Sequence, residues 1–251
     1  MIHKRYKIIA IPFAGGNRFS FKGLEKYVPQ NLDWITLESP GRGNRFVEKL
    51  LEDIDEIAED LLNQLIPHIQ NSGYMIFGHS LGTLVGYEIT KKIIERNLNL
   101  PDCLFFTGRG APNYNRFQEK KSLLPKDLFW KAINDIGGLP QEILAHEDLL
   151  DMYYPILKSD FKAIEDYEYH KMKKQFSIPI HICMGTEEIG EGEEKTSIRN
   201  MKAWEDETSS TCTFELLQGD HFFIFQHPKA LVQKICNAVL VTKDMERPDF
   251  C

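Results

Sequence analysis

The sequence lacks the features that mark secreted and membrane-bound proteins. Its five cysteines are odd in number, scattered along the chain, and form no C-x-x-C pair, which favours buried or free thiols in a reducing compartment. No apolar run is long enough to span a bilayer. Residues 1–6 lead straight into a strand-like segment, without the apolar core or cleavage site of a signal peptide. We therefore expect a cytoplasmic protein that does not associate with membranes.

The chain also lacks a basic surface signature. Its formal net charge is −7 over 251 residues, and no basic cluster is interleaved with aromatic residues. A short lysine-rich stretch at residues 171–174 is best interpreted as solvated surface. General nucleic-acid binding is therefore not expected. The length suits one α/β domain with a substantial core, so residues 1–251 are predicted to form a single domain, which we expect to be a monomer.

Strand-like and helix-like segments alternate along most of the chain. Short apolar runs typical of strands lie at residues 7–11, 34–37, 74–77, 103–107, 178–184 and 212–217. Residues 54–69 carry an apolar stripe at helical spacing, and a closing helix is predicted to start near Pro228. This alternation predicts an α/β fold with a mainly parallel central sheet flanked by helices.

The alternation stops between Ala111 and Gln175. This stretch has the pattern of several short helices without a strand, interrupted by G-G-L-P at residues 137–140. We interpret residues 112–175 as a helical lid inserted over the carboxyl edge of the sheet, where lids commonly shape the substrate pocket. Most of its aromatic residues are expected only to attach the lid to the core. A charged segment, residues 187–195, is predicted to be an exposed loop.

The most informative motif is the pentapeptide G-H-S-L-G at residues 78–82. An apolar run precedes it, and apolar residues at helical spacing follow it. A strand, a sharp turn and a helix are the context in which G-x-S-x-G is a nucleophile elbow. Bulky side chains at either glycine would clash across the turn. Ser80 is therefore the predicted nucleophile, although the five-residue pattern alone also occurs in ordinary strand-helix turns.

A serine nucleophile needs a base, and the base needs an orienting acid. In this fold their chain order is Ser, then Asp or Glu, then His. His221 follows the last predicted strand through a turn and precedes the closing helix, so it is the predicted base. The acid should lie in the loop after the preceding strand. Glu188 is the first choice there and Glu187 the second, and Asp220 is disfavoured because it adjoins His221 in a tight turn.

An oxyanion hole needs two backbone N–H groups directed at the developing charge. The N–H of Leu81, directly after the nucleophile, is one candidate. The loop after the first strand, P-F-A-G-G-N at residues 12–17, can supply the other, since its glycines allow close backbone approach. Ala14 is the predicted donor, and a plain glycine turn remains the alternative interpretation of this loop.

Several motifs, in order along nearly the whole chain, together resemble type II thioesterases, the discrete editing thioesterases of nonribosomal peptide and polyketide synthases. They are P-F-A-G-G (12–16), P-G-R-G-N-R (40–45), G-H-S-L-G (78–82), T-G-R-G-A-P (107–112), G-G-L-P-Q-E-I-L (137–144), L-K-S-D-F (157–161) and G-D-H-F-F (219–223). The family usually has Asp where this chain has Glu188, which leaves the identity of the acid open.

The resemblance implies the α/β-hydrolase fold and hydrolysis of acyl thioesters on the phosphopantetheine arms of carrier proteins. It implies acyl or peptidyl carrier domains of a synthase as partners, and neither a metal nor a redox cofactor. The loops that contain Arg42 and Arg109 are expected to flank the mouth of the active site. Whether either arginine contacts substrate or is structural stays open at this stage.

Three rival functions remain open from the sequence. A medium-chain acyl thioesterase that terminates fatty acid synthesis would differ in preferring long acyl chains. A general carboxylesterase would use the same residues on oxygen esters. A catalytically inactive α/β-hydrolase fold that only binds synthase modules is disfavoured because Ser80 and His221 are both present.

Overall fold

A computed structural model of the chain describes residues 5–70, 72–114, 119–137, 146–192 and 195–245, with backbone only for 241–245. Six strands form one sheet, in the order β2-β1-β3-β4-β5-β6, and every neighbouring pair is parallel. They are β1 Tyr6–Ile11, β2 Leu32–Thr36, β3 Tyr74–His79, β4 Cys103–Thr107, β5 Ile180–Gly185 and β6 Cys212–Leu217. The α/β architecture predicted from the alternating pattern is confirmed.

Helices connect the strands and cover the sheet. The α-helices of the described residues are α1 Lys22–Glu25, α2 Ile54–Ile69, α3 Leu81–Glu95, α4 Lys126–Ile136, α5 Glu147–Asp166, α6 Ile198–Lys202, α7 Phe223–Gln226 and α8 Pro228–Met245. The start of α2 is capped by Asp53, whose carboxylate accepts a hydrogen bond from the Glu56 N–H at 3.0 Å. Within these ranges, no helix is both long and apolar enough to cross a membrane.

Both faces of the sheet are buried along its four central strands, β1, β3, β4 and β5, as is usual for parallel sheets. Along β1, Ile9 and Ile11 face one apolar cluster, which includes the buried stripe of α2, while Ile8 and Ala10 face a second cluster, which includes α8. This alternation follows from the two-residue period of a strand. The two clusters hold the sheet between helical layers and fix the strand ends, from which the loops of the site project.

The region predicted to form the lid is helical, but the prediction of several short helices is wrong for much of it. Helix α5 runs for 20 residues, with Pro155 inside it. A helix can continue through a proline where packing offsets the lost backbone hydrogen bond. The sequence pattern does not reveal this packing. Helix α4 ends at Ile136, before Gly137 at φ +89°. Most of the G-G-L-P-Q-E-I-L match, namely residues 138–144, lies outside the described residues.

Candidate active site

Ser80 lies at the turn between β3 and α3, at the carboxyl edge of the sheet. Its backbone has φ 56° and ψ −111°, a conformation that L-residues with a side chain rarely adopt and that costs about 1–3 kcal/mol. The Ser80 N–H donates to the carbonyl oxygen of Thr107 at 2.9 Å, which ties the turn to β4. The serine is partly exposed. The turn thus presents the hydroxyl-bearing residue at the surface of the sheet edge, as a nucleophile elbow does.

The two glycines of the elbow are required by close contacts. A Cβ at Gly78 would lie 2.4 Å from the carbonyl oxygen of Gly82. A Cβ at Gly82 would lie 2.0 Å from the carbonyl oxygen of Ile11. Neither space accommodates a methyl group, because the obstructing atoms belong to the backbone. The first turn of α3 therefore packs directly against the end of β1, which brings the loop after β1 beside the elbow.

His221 and Glu188 form a buried pair at the same edge of the sheet. Glu188 follows β5 and His221 follows β6, 33 residues later, yet His221 Nδ1 lies 2.5 Å from Glu188 Oε1. Their side chains are 5% and 2% exposed, respectively. The second carboxylate oxygen of Glu188 accepts from the Gly185 N–H at 2.8 Å. Two contacts therefore hold the carboxylate against the imidazole, away from solvent.

The neighbouring carboxylates take other positions. Glu187 is exposed, and its backbone N–H donates to the carbonyl oxygen of Gly219 at 2.9 Å. The carboxylate of Asp220 accepts from the Phe222 N–H at 2.7 Å, within its own turn. The prediction that residues 187–195 form an exposed loop is wrong at Glu188, which is buried in a short 3₁₀ turn. The charged composition of this stretch gave no sign that Glu188 would be buried.

His79, the variable residue of the elbow, is fully buried beneath the site. Its Nδ1 lies 2.9 Å from the hydroxyl of Thr107, and its ring centroid is 5.0 Å from that of His221. Gly108 backs both rings, since a Cβ there would lie 2.5 Å from His79 Cε1 and 3.1 Å from His221 Cε1. Sequence reasoning missed this packing role. The one available signal was that residue 79 directly precedes the nucleophile.

The loop after β1 lies within reach of the elbow. Ala14 is partly buried and packs against both the main core and the cluster formed by α4 and α5. The Gly16 N–H donates to the Phe13 carbonyl at 2.9 Å, which orients the peptide that carries the Ala14 N–H. Leu81 is the first residue of α3, where backbone N–H groups have no partner within the helix. The two predicted oxyanion donors thus belong to adjacent segments.

Both arginines of the flanking loops are buried. Arg42 forms a bidentate ion pair with Asp160 of α5, with Nη1–Oδ2 and Nη2–Oδ1 distances of 2.6 and 2.8 Å. Burial alone would lower the pKa of Arg42, but Asp160 and, more weakly, Glu38 outweigh it, so its pKa is raised. The backbone carbonyl of Arg109 accepts from Trp204 Nε1 at 3.3 Å. Sequence reasoning left both roles open, and it did not find the Arg42–Asp160 pair.

These residues can support acyl transfer. A serine in a strained turn, an imidazole fixed by a buried carboxylate, and two backbone segments that approach the same turn are the parts that such chemistry uses. Ser80, Glu188 and His221 come from the ends of three strands of one parallel sheet, β3, β5 and β6. The contact between Glu188 and His221 results from the pairing of β5 with β6 rather than from sequence spacing.

Two curated relatives match most of the chain. Gramicidin S biosynthesis protein GrsT of Aneurinibacillus migulanus is 26% identical over 232 residues, which cover 92% of this chain and 88% of that protein. The medium-chain S-acyl fatty acid synthase thioesterase of Rattus norvegicus is 27% identical over 224 residues, covering 88% of this chain and 82% of its own. In both cases the similarity extends over most of the two chains.

Solved structures share the fold. ClbQ from the colibactin NRPS/PKS pathway superposes with a TM-score of 0.89 at 24% identity and covers 96% of this chain and 100% of its own. The type II thioesterase BorB from the borrelidin biosynthetic cluster has a TM-score of 0.83 at 25% identity, with 94% and 93% coverage. The model of the thioesterase domain family matches residues 6–239. The resemblance to type II thioesterases is thereby confirmed, and the chain belongs to the thioesterase domain family.

Proposed function

We propose that this chain is a serine thioesterase that releases acyl groups from the phosphopantetheine arms of carrier proteins, and so clears stalled or misprimed peptide or polyketide synthases. Ser80 is the nucleophile, His221 the general base and Glu188 the orienting acid. The observation that carries the proposal is the buried 2.5 Å contact between His221 Nδ1 and Glu188 Oε1, at the sheet edge that also presents the strained Ser80. The contact fixes the imidazole so that its other nitrogen serves as the base.

The first half of the reaction forms an acyl-enzyme. His221 takes the proton from the Ser80 hydroxyl as its oxygen attacks the thioester carbonyl. The carbonyl oxygen becomes an oxyanion, which the N–H groups of Leu81 and Ala14 stabilise. The C–S bond then breaks, and the proton on His221 passes to the departing pantetheine sulfur. The negative charge of Glu188 stabilises the imidazolium in between, which lowers the barrier to both proton transfers.

The second half releases the acid. His221 removes a proton from a water molecule, the resulting hydroxide attacks the Ser80 ester, and the same two N–H groups hold the second oxyanion. The proton returns to the Ser80 oxygen as the ester bond breaks. Water is the only co-reactant in this sequence, so we propose that the protein uses no metal and no redox cofactor.

The proposed substrate carrier follows from the family and from the relatives. GrsT is named for gramicidin S biosynthesis, ClbQ for the colibactin NRPS/PKS pathway, and BorB as a type II thioesterase of the borrelidin biosynthetic cluster. The cysteines Cys103, Cys183, Cys212 and Cys236 are free thiols, which supports action in a reducing compartment, and we propose the cytoplasm.

Hydrolysis of a panel of acyl carrier proteins tests this proposal. Acetyl, propionyl, butyryl, decanoyl and dodecanoyl groups would be loaded on one phosphopantetheinylated carrier protein, and kcat/KM measured for each. We expect the short acyl groups to be hydrolysed fastest. Free acyl-pantetheine should be a poorer substrate than the same group on the carrier, because it lacks the protein contacts. If none of the thioesters in the panel is hydrolysed, the proposal is contradicted.

A medium-chain thioesterase of fatty acid synthesis is the second candidate, and the similarity to the rat enzyme favours it. That activity would require an apolar channel for a long chain. The same panel separates the two functions, because a preference for decanoyl and dodecanoyl carriers over short ones would assign the chain to this second function. The catalytic residues would be unchanged.

We further propose that α4 and α5 form a lid that limits acyl-chain length. Phe129 and Ile133 of α4 pack with Leu157 and Phe161 of α5 in an apolar cluster that also contacts Ala14. The cluster therefore lies beside the proposed oxyanion loop, where the acyl chain would extend away from the reacting carbonyl. The space that the side chains of the cluster leave open should determine which acyl-chain lengths fit.

A larger side chain in this cluster is expected to favour shorter substrates. Ile133→Phe adds volume at a buried position of α4, so the ratio of kcat/KM for butyryl to that for decanoyl carriers should rise. Leu128→Phe is the matched control, because Leu128 is exposed on the same helix. Equal ratios for Ile133→Phe, Leu128→Phe and the wild type would show that the cluster is only structural.

A further inference from the structure

Three segments that are distant in sequence meet at one buried carboxylate. Asp160 of α5 is 1% exposed, and its two oxygens accept from Arg42, which lies in the loop after β2 and is itself 4% exposed. Oxygen Oδ2 also accepts from the backbone N–H of Gly15 at 2.7 Å. Asp160 therefore binds the loop after β1, in which the proposed oxyanion donor lies, directly to α5.

The bond to Gly15 fixes the backbone next to the donor. Gly15 has φ +76°, and its N–H belongs to the peptide that directly follows the Cα of Ala14. The peptide that precedes this Cα, and carries the Ala14 N–H, is held by the Phe13 carbonyl, which accepts from Gly16. The Gly16 bond closes the turn internally, and the Asp160 bond ties the turn to α5, so together they restrict the direction of the Ala14 N–H. Without the bond to Asp160, only one of the two planes remains constrained.

Helix α5 also limits this loop sterically. A Cβ at Gly15 would lie 2.7 Å from Cδ2 of Leu157, one turn before Asp160 on the same helix. The loop thus packs closely on α5 through Leu157 and is hydrogen-bonded to it through Asp160. Through these two contacts, α5 restricts the conformation of residues 14 and 15.

The charge balance of the pair has a chemical consequence. An unpaired carboxylate this close to an oxyanion hole would repel the negative charge that develops in the transition state. The bidentate guanidinium of Arg42 neutralises it and leaves the Gly15 bond intact. An apolar pair of residues could fasten α5 to the loop equally well, but it could not accept a hydrogen bond from Gly15.

We propose that Asp160 is a positioning residue of the oxyanion hole, which holds the Gly15 N–H so that the Ala14 N–H points at the oxyanion, and that Arg42 neutralises its charge. The assignment rests on the proposed serine thioesterase function. It makes the lid helix part of the machinery that stabilises the transition state, in addition to any effect on chain length.

Pairs of substitutions test this assignment, because removing one partner alone leaves a buried unpaired charge. The pair Arg42→Met with Asp160→Leu keeps apolar packing but removes the acceptor for Gly15. The pair Arg42→Gln with Asp160→Asn is also neutral but keeps an amide oxygen as acceptor. Ser159→Ala is the control on the same helix, since its hydroxyl donates only to the Leu51 carbonyl among the bonds described.

We expect the Met/Leu pair to lower kcat by about 10- to 100-fold with little change in KM, below the full cost of losing an oxyanion donor. Its affinity for a trifluoromethyl ketone, which forms a tetrahedral adduct with Ser80, should fall by a similar factor. The Gln/Asn pair should retain most of the kcat and affinity, and Ser159→Ala all of it. The pH profile of kcat for the Met/Leu pair should keep the shape of the wild-type profile. An unchanged shape would distinguish this role from that of an acid that orients His221.

The amide resonance of Gly15 provides a readout that does not depend on activity. In the wild type it should lie downfield and exchange slowly with solvent, because it donates to a carboxylate, and in the Met/Leu pair it should lose both properties. If the wild type hydrolyses thioesters and the folded Met/Leu pair keeps its kcat and inhibitor affinity, the positioning role is wrong. If the wild type hydrolyses no thioester, the proposed function is wrong, whatever the Gly15 resonance shows.

Discussion

Ser80→Ala is expected to lower kcat for thioester hydrolysis by about 10⁴- to 10⁶-fold, the range typical of losing a triad nucleophile. Without the hydroxyl no acyl-enzyme can form, and only the oxyanion donors and binding contacts remain. The measurement is single-turnover hydrolysis of a butyryl carrier protein, with the wild type at matched concentration. A fluorophosphonate probe should label the wild type and leave Ser80→Ala unlabelled.

The fold of Ser80→Ala should be unchanged. Serine and alanine both carry a Cβ, so the backbone strain at φ 56° is the same in both proteins. The bond from the residue 80 N–H to the Thr107 carbonyl does not involve the side chain. The thermal midpoint should therefore stay within the error of the wild-type value. Near-normal turnover by this variant would contradict the serine-hydrolase mechanism.

The elbow and the parallel sheet could be predicted from the sequence because local patterns determine them. The apolar run before Gly78 and the helical spacing after Gly82 fix a strand, a turn and a helix within about 20 residues. The structure adds the physical reason for the glycines, since the backbone atoms of Gly82 and Ile11 occupy the space that a side chain would need. A motif of this kind carries its own structural context.

The Arg42–Asp160 pair could not be predicted in the same way. Its partners are 118 residues apart. Arg42 and Asp160 each lie in a motif of the family resemblance, but nothing in either motif indicates that the two side chains pair. The length of α5 was missed for a related reason. Pro155 indicates a break locally, whereas the packing that sustains a 20-residue helix comes from distant residues.

Glu188 shows the limit of composition most clearly. It lies among several carboxylates in a stretch that has the composition of a solvated loop. Only the pairing of β5 with β6 brings His221 to its side. The rule of chain order places the predicted acid in this loop. The preference for Glu188 over Glu187 rests on a 3₁₀ turn that buries Glu188 and exposes Glu187.

Glu188→Gln is expected to lower kcat by about 10²- to 10⁴-fold, by analogy with removal of a triad carboxylate. The amide preserves the shape of the side chain and can still accept from the Gly185 N–H. It removes the negative charge that stabilises protonated His221, and it can present an N–H₂ group to Nδ1, which favours the wrong tautomer. KM should change little, because the carboxylate does not contact the substrate in the proposed mechanism.

Two matched variants isolate this effect from the general loss of negative charge. Glu187→Gln removes the same charge one residue earlier, at an exposed position, and Asp220→Asn removes one beside His221. Both should retain kcat within about threefold of the wild type, the size of effect that a change of about 0.5 kcal/mol would give, because Glu188 is the carboxylate that contacts His221. Steady-state kinetics on one butyryl carrier protein compares all three.

An active Glu188→Gln together with an inactive Glu187→Gln would assign the orienting role to Glu187, the exposed neighbour. If all three variants were active, the acid would have to lie outside both the loop after β5 and the loop after β6. Asp160 would be the next carboxylate to test, although its oxygens are bound to Arg42 and Gly15.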